Sequence, residues 1–415
     1  MTTTTKKKGV SRRSAIQSVL GVAGVGLMAL PKSSYASPVQ PLPTREPVKI
    51  TRLETFLVKP RWIFLKIYTD AGVVGLGEPL LEGRALTIQT AIKEIEPYLI
   101  GKDPRQVVHH WQAIYRHAFY RGGPILTSAL SGIDHALWDI KGKLLGIPVH
   151  EWLGGPTRDR VTVYGRARNA EQMKQQIGLG FNTIKTGVAM ENPARAVETP
   201  GFINYAVDNF ASLREAAGPD VNIGIDFHGK ISPQTAKVLI KALEPYQPMF
   251  IEEPVQCQNV DVMAEIARGT HLPIATGERI FTKWGFREIL EKGAASILQP
   301  DLCHAGGITE GRLIAGMAEA YYAVVAPHNP MGPISLACGL HLAASIPNFL
   351  VQEQVSLGDG YLKNPFKLQE DGTVMVPTAP GLGIELDEDQ LADKIGHDWK
   401  NPETYDPRDG SVVDW

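Results

Sequence analysis

Hydrophobic and polar positions follow two different rhythms in the first part of the chain beyond Val48. The stretches KITRLETFLV and WIFLKIYTD alternate with a period of two and precede an Asp-Ala-Gly turn, which predicts antiparallel strands. Residues 85–152 instead carry apolar side chains at helical spacing, in three or four segments punctuated by glycines. Three glycines lack the strand–loop–helix context of a nucleotide-binding loop and are assigned to a turn and a strand: Gly72, Gly75 and Gly77. Residues 48–155 are therefore predicted to form an α+β domain.

From Arg160 the pattern changes to an apolar strand followed by a helix, and this unit repeats to about residue 355. The first two runs are VTVYG and FNTIKTG, and six further runs each end in an acid or a histidine. These six endings are spaced about 25 residues apart, the length of one strand and its crossover helix. The fold class is therefore α/β, with residues 160–380 forming a (β/α)₈ barrel that the α+β domain caps. The polar tail, residues 381–415, is predicted to pack back on the capping domain.

The first forty residues have the composition of an export signal rather than of a folded domain. Lysines and the Arg12-Arg13 pair precede the apolar run AIQSVLGVAGVGLMAL, and Ser34-Tyr35-Ala36 follows as a small-x-small cleavage candidate. The arginine pair resembles that of twin-arginine signals, which carry folded proteins. Residues 1–40 are therefore predicted to be a twin-arginine signal and linker, which implies export to the periplasm. The alternative is an uncleaved basic segment on a cytoplasmic protein.

The composition of the 415-residue chain excludes several classes of partner. Hydrophobic residues make up 43% and charged residues 21%, as in an ordinary globular protein, and the net charge is −2. This charge gives no reason to expect a nucleic acid, or a membrane surface once the leader is processed, as a partner. The three cysteines are scattered and form no C-x-x-C pair, which favours packing roles over a disulfide framework or a zinc site.

Three consecutive barrel strands are predicted to end in carboxylates at one mouth: Asp226, Glu252 and Glu278. The carboxyl ends of barrel strands converge, so these acids would repel one another strongly unless a cation neutralised them. Hard oxygen ligands favour Mg²⁺, which keeps positions open for water or substrate. We therefore predict one Mg²⁺ per subunit. Strand alternation turns the neighbouring Glu253 to the other face, so it is interpreted as structural, although the two neighbours could exchange roles.

Two histidines are predicted to face the same mouth from opposite sides of the metal. His328 ends a strand whose predecessor ends in Asp301, and such an acid can fix the tautomer of a ring and raise its basicity. His228 follows Asp226 by two residues and lies on the same face if the strand stays extended. This set suits removal of a proton α to a carboxylate and protonation of a leaving β-hydroxyl. The predicted reaction is dehydration of a hydroxy acid.

Several long stretches are similar to those of a known family, among them GIDHALWDIKGK, DFHGK, LIKALEPYQPMFIEEPV, ILQPDLCHAGGITE and APHNPMGPI. From Ile50 to Trp415 the chain resembles the mandelate racemase group of the enolase superfamily, and within it the galactonate dehydratases. The resemblance implies Mg²⁺-dependent dehydration of a small-molecule sugar acid, D-galactonate to 2-dehydro-3-deoxy-D-galactonate. It also implies a homo-oligomer, since relatives form dimers or octamers.

The resemblance implies roles for individual residues, and its metal ligands are the three acids derived above. His328 would remove the C2 proton, with Asp301 raising its basicity. His228 would be the general acid for the C3 hydroxyl, and Glu353 would hydrogen-bond the developing ene-diolate. The capping domain would cover the mouth, so that further side chains contact the substrate: Lys185, Trp62, Glu82 and Arg84.

One departure from the family pattern favours dehydration over racemisation. Racemases of this group carry a Lys-x-Lys pair at the end of the second barrel strand, whereas this chain has Lys185-Thr186-Gly187. The second racemising base is therefore missing. Gly187 and the short loop within GRARNAEQM also differ from the galactonate dehydratases at positions that border the substrate. Two alternatives stay open: an epimerase or cycloisomerase acting through the same ene-diolate, and an exported binding protein without turnover.

Overall fold

The computed structural model describes residues 1–3 and 47–414 of the chain. The predicted export signal, residues 1–40, therefore lies outside the described residues apart from its first three. Pro47 begins a compact unit that includes the rest of the chain. Within the described part of the chain, no helix is long and apolar enough to cross a membrane.

An antiparallel sheet begins this unit, with the strands β1 (Ile50–Val58), β2 (Trp62–Thr69) and β3 (Val74–Gly77) in that order. The Asp-Ala-Gly turn joins β2 to β3, and Gly72 has a φ of 75°, which glycine adopts without steric cost. Gly75 and Gly77 lie in β3, where a helix approaches closely. A Cβ on Gly77 would lie 2.0 Å from the carbonyl oxygen of Gly132. Gly72 therefore permits the turn, whereas Gly75 and Gly77 permit the strand and the helix to pack closely.

The helices of the capping region follow the sheet as α1 (Ala85–Leu99), α2 (Val107–His117), α3 (Gly123–Leu145) and α4 (Val149–Trp152). The central part of α3 is buried on all sides, from Thr127 to Ile140. A helix that is buried all round must pack against other elements on every face. The predicted succession of helical segments over residues 85–152 is confirmed.

Parallel strands of the described chain, hydrogen-bonded in chain order, form the main sheet: β5 (Gly165–Arg166), β6 (Thr183–Gly187), β7 (Asn222–Asp226), β8 (Phe250–Glu252), β9 (Ile274–Thr276), β10 (Ile297–Leu298) and β11 (Val324–Val325). Each is followed by a helix: α5 (Ala170–Gly178), α6 (Pro200–Ala217), α7 (Pro233–Leu243), α8 (Val260–Arg268), α9 (Thr282–Lys292), α10 (Gly307–Ala320) and α11 (Pro333–Ser345). This alternation is that of a parallel α/β barrel.

The segment 349–352 closes the sheet. Phe349 bridges Val325 on β11, and Gln352 bridges Val163 at the opposite edge. The N–H of Gln352 donates to the carbonyl oxygen of Thr162 at 2.9 Å. The predicted barrel with an α+β capping region is therefore confirmed, and its last strand consists of bridges on both sides.

The first barrel strand differs from its prediction, which placed it over VTVYG. Arg160–Thr162 forms a separate strand, β4, and pairs antiparallel with β12 (Thr373–Met375). The first bridge within the barrel is that of Val163 with Gln352. The edge of a strand carries unpaired N–H and C=O groups, which a neighbouring segment can satisfy. Here β12 pairs with Arg160–Thr162, just before the chain enters the barrel.

Polar side chains buried on α3 hold the capping region to the barrel. Asp134 accepts a hydrogen bond from the N–H of Thr309 at 3.0 Å, in the first turn of α10, where the helix dipole favours a carboxylate. His135 Nε2 donates to the carbonyl oxygen of Leu302 at 2.8 Å. Because Leu302 and Thr309 flank the loop that follows Asp301, α3 fixes the position of this loop.

The C-terminal tail contacts the capping region. The N–H of Leu382 donates to Asp139 on α3 at 2.8 Å, and that of Gly396 donates to the carbonyl oxygen of Leu57 at 2.7 Å. Between these contacts the chain forms the short helix α12 (Glu388–Ala392). The limits given above for the leader, capping domain, barrel and tail stay predictions, because the chain from Pro47 onwards forms a single compact unit.

Glu78 is a buried carboxyl that joins the end of β3 to the start of α11. Its two oxygens accept hydrogen bonds from the N–H groups of Gly332 at 2.6 Å and Ser335 at 2.9 Å. Burial raises the pKa of Glu78 to about 7, and these N–H groups oppose the rise. Since α11 follows His328 closely, this contact also anchors the chain beside the barrel mouth.

We expect a Glu78→Gln variant to gain stability relative to the wild type as the pH rises from 4.5 through 7. The folded pKa of about 7 exceeds the unfolded value of 4.5, so the carboxyl favours folding below pH 4.5 and loses that contribution through pH 7. Across this range Glu78 should lower the free energy of unfolding of the wild type by up to about 3 kcal/mol. Glutamine does not titrate and should make no such contribution. Urea unfolding of both proteins across this window measures it, with the exposed Glu319→Gln as control. A pH-independent difference would contradict the expectation.

Candidate active site

Three carboxylates meet at the carboxyl ends of neighbouring strands. Asp226 and Glu252 are the last residues of β7 and β8, and Glu278 stands two residues beyond β9. One oxygen of each lies within 4.8 Å of the other two. The fold therefore brings together the three acids that the sequence predicted as metal ligands.

Burial makes this acidic cluster costly without a cation. Glu252 is fully buried, and burial together with the charge of Asp226 raises the pKa of Glu252 to about 8. Burial also raises the pKa of Glu278 well above its ordinary value. Three carboxylates with no nitrogen or sulfur donor among them match the ligands that Mg²⁺ prefers. The residues therefore fit a hard divalent cation, which would offset their mutual repulsion.

Lys185 on β6 places a positive charge beside the carboxylates. Its Nζ donates to both oxygens of Glu252, at 2.9 and 3.0 Å. It also lies 3.1 Å from Glu353 Oε1 and 3.6 Å from Asp226 Oδ2. The substrate contact expected of Lys185 stays a prediction, since the ammonium is already held by acids.

Gly187, at the end of β6, has open space beside it. A Cβ there would meet nothing nearer than the Asp226 carbonyl oxygen at 3.8 Å, so space is open where racemases carry a second lysine.

His328, which follows β11, pairs with Asp301. Nδ1 of the ring lies 2.8 Å from Asp301 Oδ2, and the other carboxylate oxygen accepts the N–H of Cys303 at 2.7 Å. We assign the proton to Nδ1, which donates it to Asp301, and the lone pair to Nε2. Nε2 lies 3.3 Å from Glu278 Oε2, at the acidic cluster. Burial lowers the pKa of His328 well below its ordinary value, so the ring is neutral and can accept a proton.

His304 stands behind this pair. Its Nδ1 hydrogen-bonds to the hydroxyl of Ser128 on α3 at 2.9 Å, and its Nε2 lies 3.9 Å from Asp301 Oδ2. Burial lowers the pKa of His304 to about 4. The neutral ring is therefore hydrogen-bonded to the capping helix and lies beside Asp301, the acid that pairs with His328.

His228 reaches the cluster through a left-handed turn of the backbone. The strand β7 ends at Asp226, whose Oδ1 accepts the N–H of His228 at 2.7 Å, and His228 has a φ of 55°. The expectation that the strand stays extended here is wrong, because the carboxylate captures the backbone N–H. Nε2 nevertheless lies 4.0 Å from Glu278 Oε1, and the side chain is 38% exposed. The rings of His228 and His328 thus flank the two oxygens of Glu278.

Glu353, just beyond the closing segment, is held as an anion. Arg166 on β5 forms an ion pair with its Oε1, and the N–H of Asn329 donates to its Oε2 at 2.9 Å. Burial by itself raises the pKa of Glu353, but the charges of Lys185 and Arg166 hold it well below its usual range. Glu353 can therefore only accept hydrogen bonds in this arrangement. Arg166 is not among the site residues predicted from the sequence, where its one signal is its place at the end of the first barrel strand.

Glu82 brings the capping region close to this site. It forms an ion pair with Arg61, whose Nη2 donates to the carbonyl oxygen of Pro330 at 3.2 Å. Burial raises the pKa of Glu82, Arg61 opposes the rise and the charge of Glu353 adds to it. The Arg61–Glu82 pair therefore joins the capping region to the loop that follows His328.

Trp62 and Arg84 have different surroundings from Glu82. Trp62 is 3% exposed, and its ring centroid lies 4.8 Å from that of Tyr361, so packing occupies most of its surface. Arg84 is exposed, and within the described chain its guanidinium hydrogen-bonds to the carbonyl oxygen of Gly83 at 2.9 Å. Contacts of these side chains with distal substrate hydroxyls stay predictions.

Glu253 points away from the acidic cluster, although it follows Glu252 directly. It has a φ of 43°, and one of its oxygens accepts the hydroxyl of Thr276. The face predicted for Glu253 by strand alternation stays a prediction, because the backbone here is left-handed rather than extended.

Two family descriptions match the chain. Residues 35–154 match the mandelate racemase / muconate lactonizing enzyme N-terminal domain. Residues 166–390 match the enolase C-terminal domain-like family. These two matches cover the capping region and most of the barrel described above.

Curated relatives and solved structures show similarity over most of their lengths. The chain is 48% identical over 386 residues to proteins named D-galactonate dehydratase from Ralstonia nicotianae and Ralstonia pickettii, covering 89% of this chain and 100% of each relative. A mandelate racemase/muconate lactonizing enzyme from Sulfitobacter sp. superimposes with a TM-score of 0.81 at 31% identity, covering 89% of this chain and 100% of that one. A member of the enolase superfamily from Salmonella Typhimurium gives a TM-score of 0.79 at 32% identity, with coverages of 84% and 98%.

Proposed function

Because this chain belongs to the mandelate racemase and muconate lactonizing enzyme group of the enolase superfamily, we propose that it is a Mg²⁺-dependent sugar-acid dehydratase. Its proposed substrate is D-galactonate, which the names of relatives at 48% identity specify, and its product is 2-dehydro-3-deoxy-D-galactonate. The observation that carries the proposal is the pair of histidines that flanks Glu278 within a cluster of three carboxylates.

The first proposed step is removal of the C2 proton by His328. The neutral ring takes the proton at Nε2, while Asp301 accepts the hydrogen bond from Nδ1 and stabilises the imidazolium that forms. Asp226, Glu252 and Glu278 would hold Mg²⁺, which when bound supplies positive charge for the substrate carboxylate as C2 loses its proton. Lys185 adds a fixed positive charge at the same place.

The second proposed step is loss of the C3 hydroxyl as water, with His228 as the proton donor. Protonation of the leaving hydroxyl completes the elimination, and the enol that remains becomes the 2-keto acid. The side chain of His228 is 38% exposed, so the ring can take up another proton from solvent after each turnover. The proposed base, His328, and the proposed acid, His228, therefore follow different strands, β11 and β7.

A semicarbazide assay in D₂O, with Mg²⁺ and a panel of mono- and diacid sugars, tests the proposal. We expect a 2-keto acid from D-galactonate. Deuterium at C2 of recovered substrate without keto acid would instead indicate an epimerase or cycloisomerase. If no acid in the panel gives a keto acid, the dehydratase proposal is wrong, and binding without exchange would indicate a barrel that only binds.

We expect a His228→Asn variant to lose keto-acid release by about 10³-fold and to retain exchange at C2. The reason is that His328 still removes the C2 proton, while the leaving hydroxyl has lost its acid. NMR of substrate recovered from D₂O measures the exchange, and the exposed His271→Asn serves as a control. Parallel loss of exchange and release would contradict separate roles for the two histidines.

Export through a twin-arginine signal and assembly into a homo-oligomer are also part of the proposal. Support for export comes from the sequence of residues 1–40 alone. Fractionation of cells that produce the full chain, with and without Arg12-Arg13 replaced by lysines, tests the export route. Light scattering on the purified protein measures the number of subunits.

A further inference from the structure

We infer that Arg279 is a positioning residue: its ion pair with Glu253 aligns two neighbouring metal ligands and the loop that carries His228. The inference rests on the proposed function, because it assigns a role within the same site. It concerns Glu253 and Arg279, the residues that directly follow the proposed metal ligands Glu252 and Glu278.

The first link is the ion pair itself. Arg279 follows Glu278 directly, and its Nε lies 3.1 Å from Glu253 Oε2, which Nη2 also contacts. The remaining arm, Nη1, donates to Gln256 Oε1 at 2.8 Å. Glu253 in turn follows Glu252. The pair therefore joins the residue after one metal ligand to the residue after the next, across the ends of β8 and β9.

The second link is the backbone of Glu253. Its φ of 43° lies in the left-handed region, which a side chain other than glycine adopts only when its surroundings enforce it. The side chain is fully buried, and the hydroxyl of Thr276 and the guanidinium of Arg279 satisfy its oxygens. The left-handed turn sends the side chain of Glu253 away from the cluster into which Glu252 points. Loss of the ion pair would remove the contacts that hold this conformation.

The third link is the contact of this ion pair with Gly229, the residue that follows His228. The next residue, Gly229, has a φ of 64°, and its N–H donates to the carbonyl oxygen of Glu253 at 2.8 Å. The guanidinium of Arg279 lies against Gly229, because a Cβ there would stand 2.4 Å from Arg279 Nη2. The same ion pair therefore supports the turn that directs the general acid proposed above.

Arg279 acts through these neighbours rather than on the substrate. Its Nε lies 3.8 Å from Glu278 Oε1, which is too long for a hydrogen bond. Its guanidinium donates hydrogen bonds to Glu253 and Gln256 instead. A guanidinium supplies several N–H groups in a fixed plane, whereas a lysine ammonium cannot reproduce that fork. Arg279→Lys should therefore keep the positive charge but lose the alignment of Glu252, Glu278 and the loop that carries His228.

The test compares Arg279→Lys and Glu253→Gln with the wild type, and uses Arg287→Lys, an exposed pair member on α9, as the matched control. Mn²⁺ binding to the metal-free proteins, measured by EPR, reports on the ligands without turnover. We expect affinity to fall by about 10- to 100-fold in both variants, as when other outer-shell partners of metal ligands are removed. The ratio of C2 deuteration to keto-acid release should also rise, since His228 loses its support.

Unchanged Mn²⁺ affinity in both variants, or a ratio equal to that of the wild type, would overturn the inference. If Arg279→Lys does not fold, Glu253→Gln decides by itself, because it removes the same ion pair with little change in volume. A wild type that binds Mn²⁺ but releases no keto acid from any sugar acid would overturn the proposed function. In that case the Mn²⁺ affinities of the variants still decide whether the ion pair aligns the metal ligands.

Discussion

Replacement of His328 by asparagine is expected to abolish both keto-acid release and hydrogen exchange at C2, each by at least about 10³-fold. The ring is the one proposed to take the C2 proton, and its Nδ1 is already committed to Asp301 at 2.8 Å. Asparagine is close in size and can keep a hydrogen bond to Asp301, but its amide nitrogen has no basic lone pair. The fold and the metal ligands should therefore survive while the base is lost.

The decisive measurement is NMR of substrate incubated in D₂O with the variant and Mg²⁺. The contrast with His228→Asn is the sharpest control, because that variant should lose release alone. Equal Mn²⁺ affinity of His328→Asn and the wild type would show that the metal ligands are intact. Substrate that still acquires deuterium at C2 at the wild-type rate would remove His328 from the proposed role.

The second large effect is expected for Glu252→Gln, which should weaken metal binding by more than about 100-fold, the upper end for loss of an outer-shell partner. Burial and the charge of Asp226 raise the pKa of Glu252 to about 8, so its ionised form is costly unless a cation is near. Glutamine removes that charge. The metal-free variant should therefore be no less stable than the wild type, while its keto-acid release should fall to background.

Thermal unfolding with and without Mg²⁺ measures this effect independently of activity. A cation at a hundred times its dissociation constant stabilises the folded state by about 2.7 kcal/mol, and this gain should disappear in Glu252→Gln. The exposed Glu265→Gln, which lies on α8, controls for loss of a carboxylate elsewhere. Chelation of the wild type should remove the same gain, and added Mg²⁺ should restore it. An equal Mg²⁺-dependent gain in Glu252→Gln would contradict a ligand role.

The periodic pattern of the chain was sufficient to predict the barrel and the place of its mouth. One strand and one helix repeat at a nearly constant interval, and the carboxyl ends of parallel strands must converge. The sequence alone therefore predicts that Asp226, Glu252 and Glu278 lie together, and that His328 lies beside Asp301. The pairing of Arg160–Thr162 with β12 could not be foreseen, because the partner strand lies about two hundred residues away and carries no periodic signal.

The sequence by itself thus determined which acids and histidines share the mouth, because strand periodicity fixes the end from which each side chain emerges. Only the tertiary structure decided how those side chains are held. His228 depends on a left-handed turn captured by Asp226, and Glu353 is kept ionised by Arg166 and Lys185 from other strands. The ion pairs of Glu353 join residues far apart in the chain, the turn at His228 departs from the strand pattern, and the energies of both depend on burial, which local patterns do not specify.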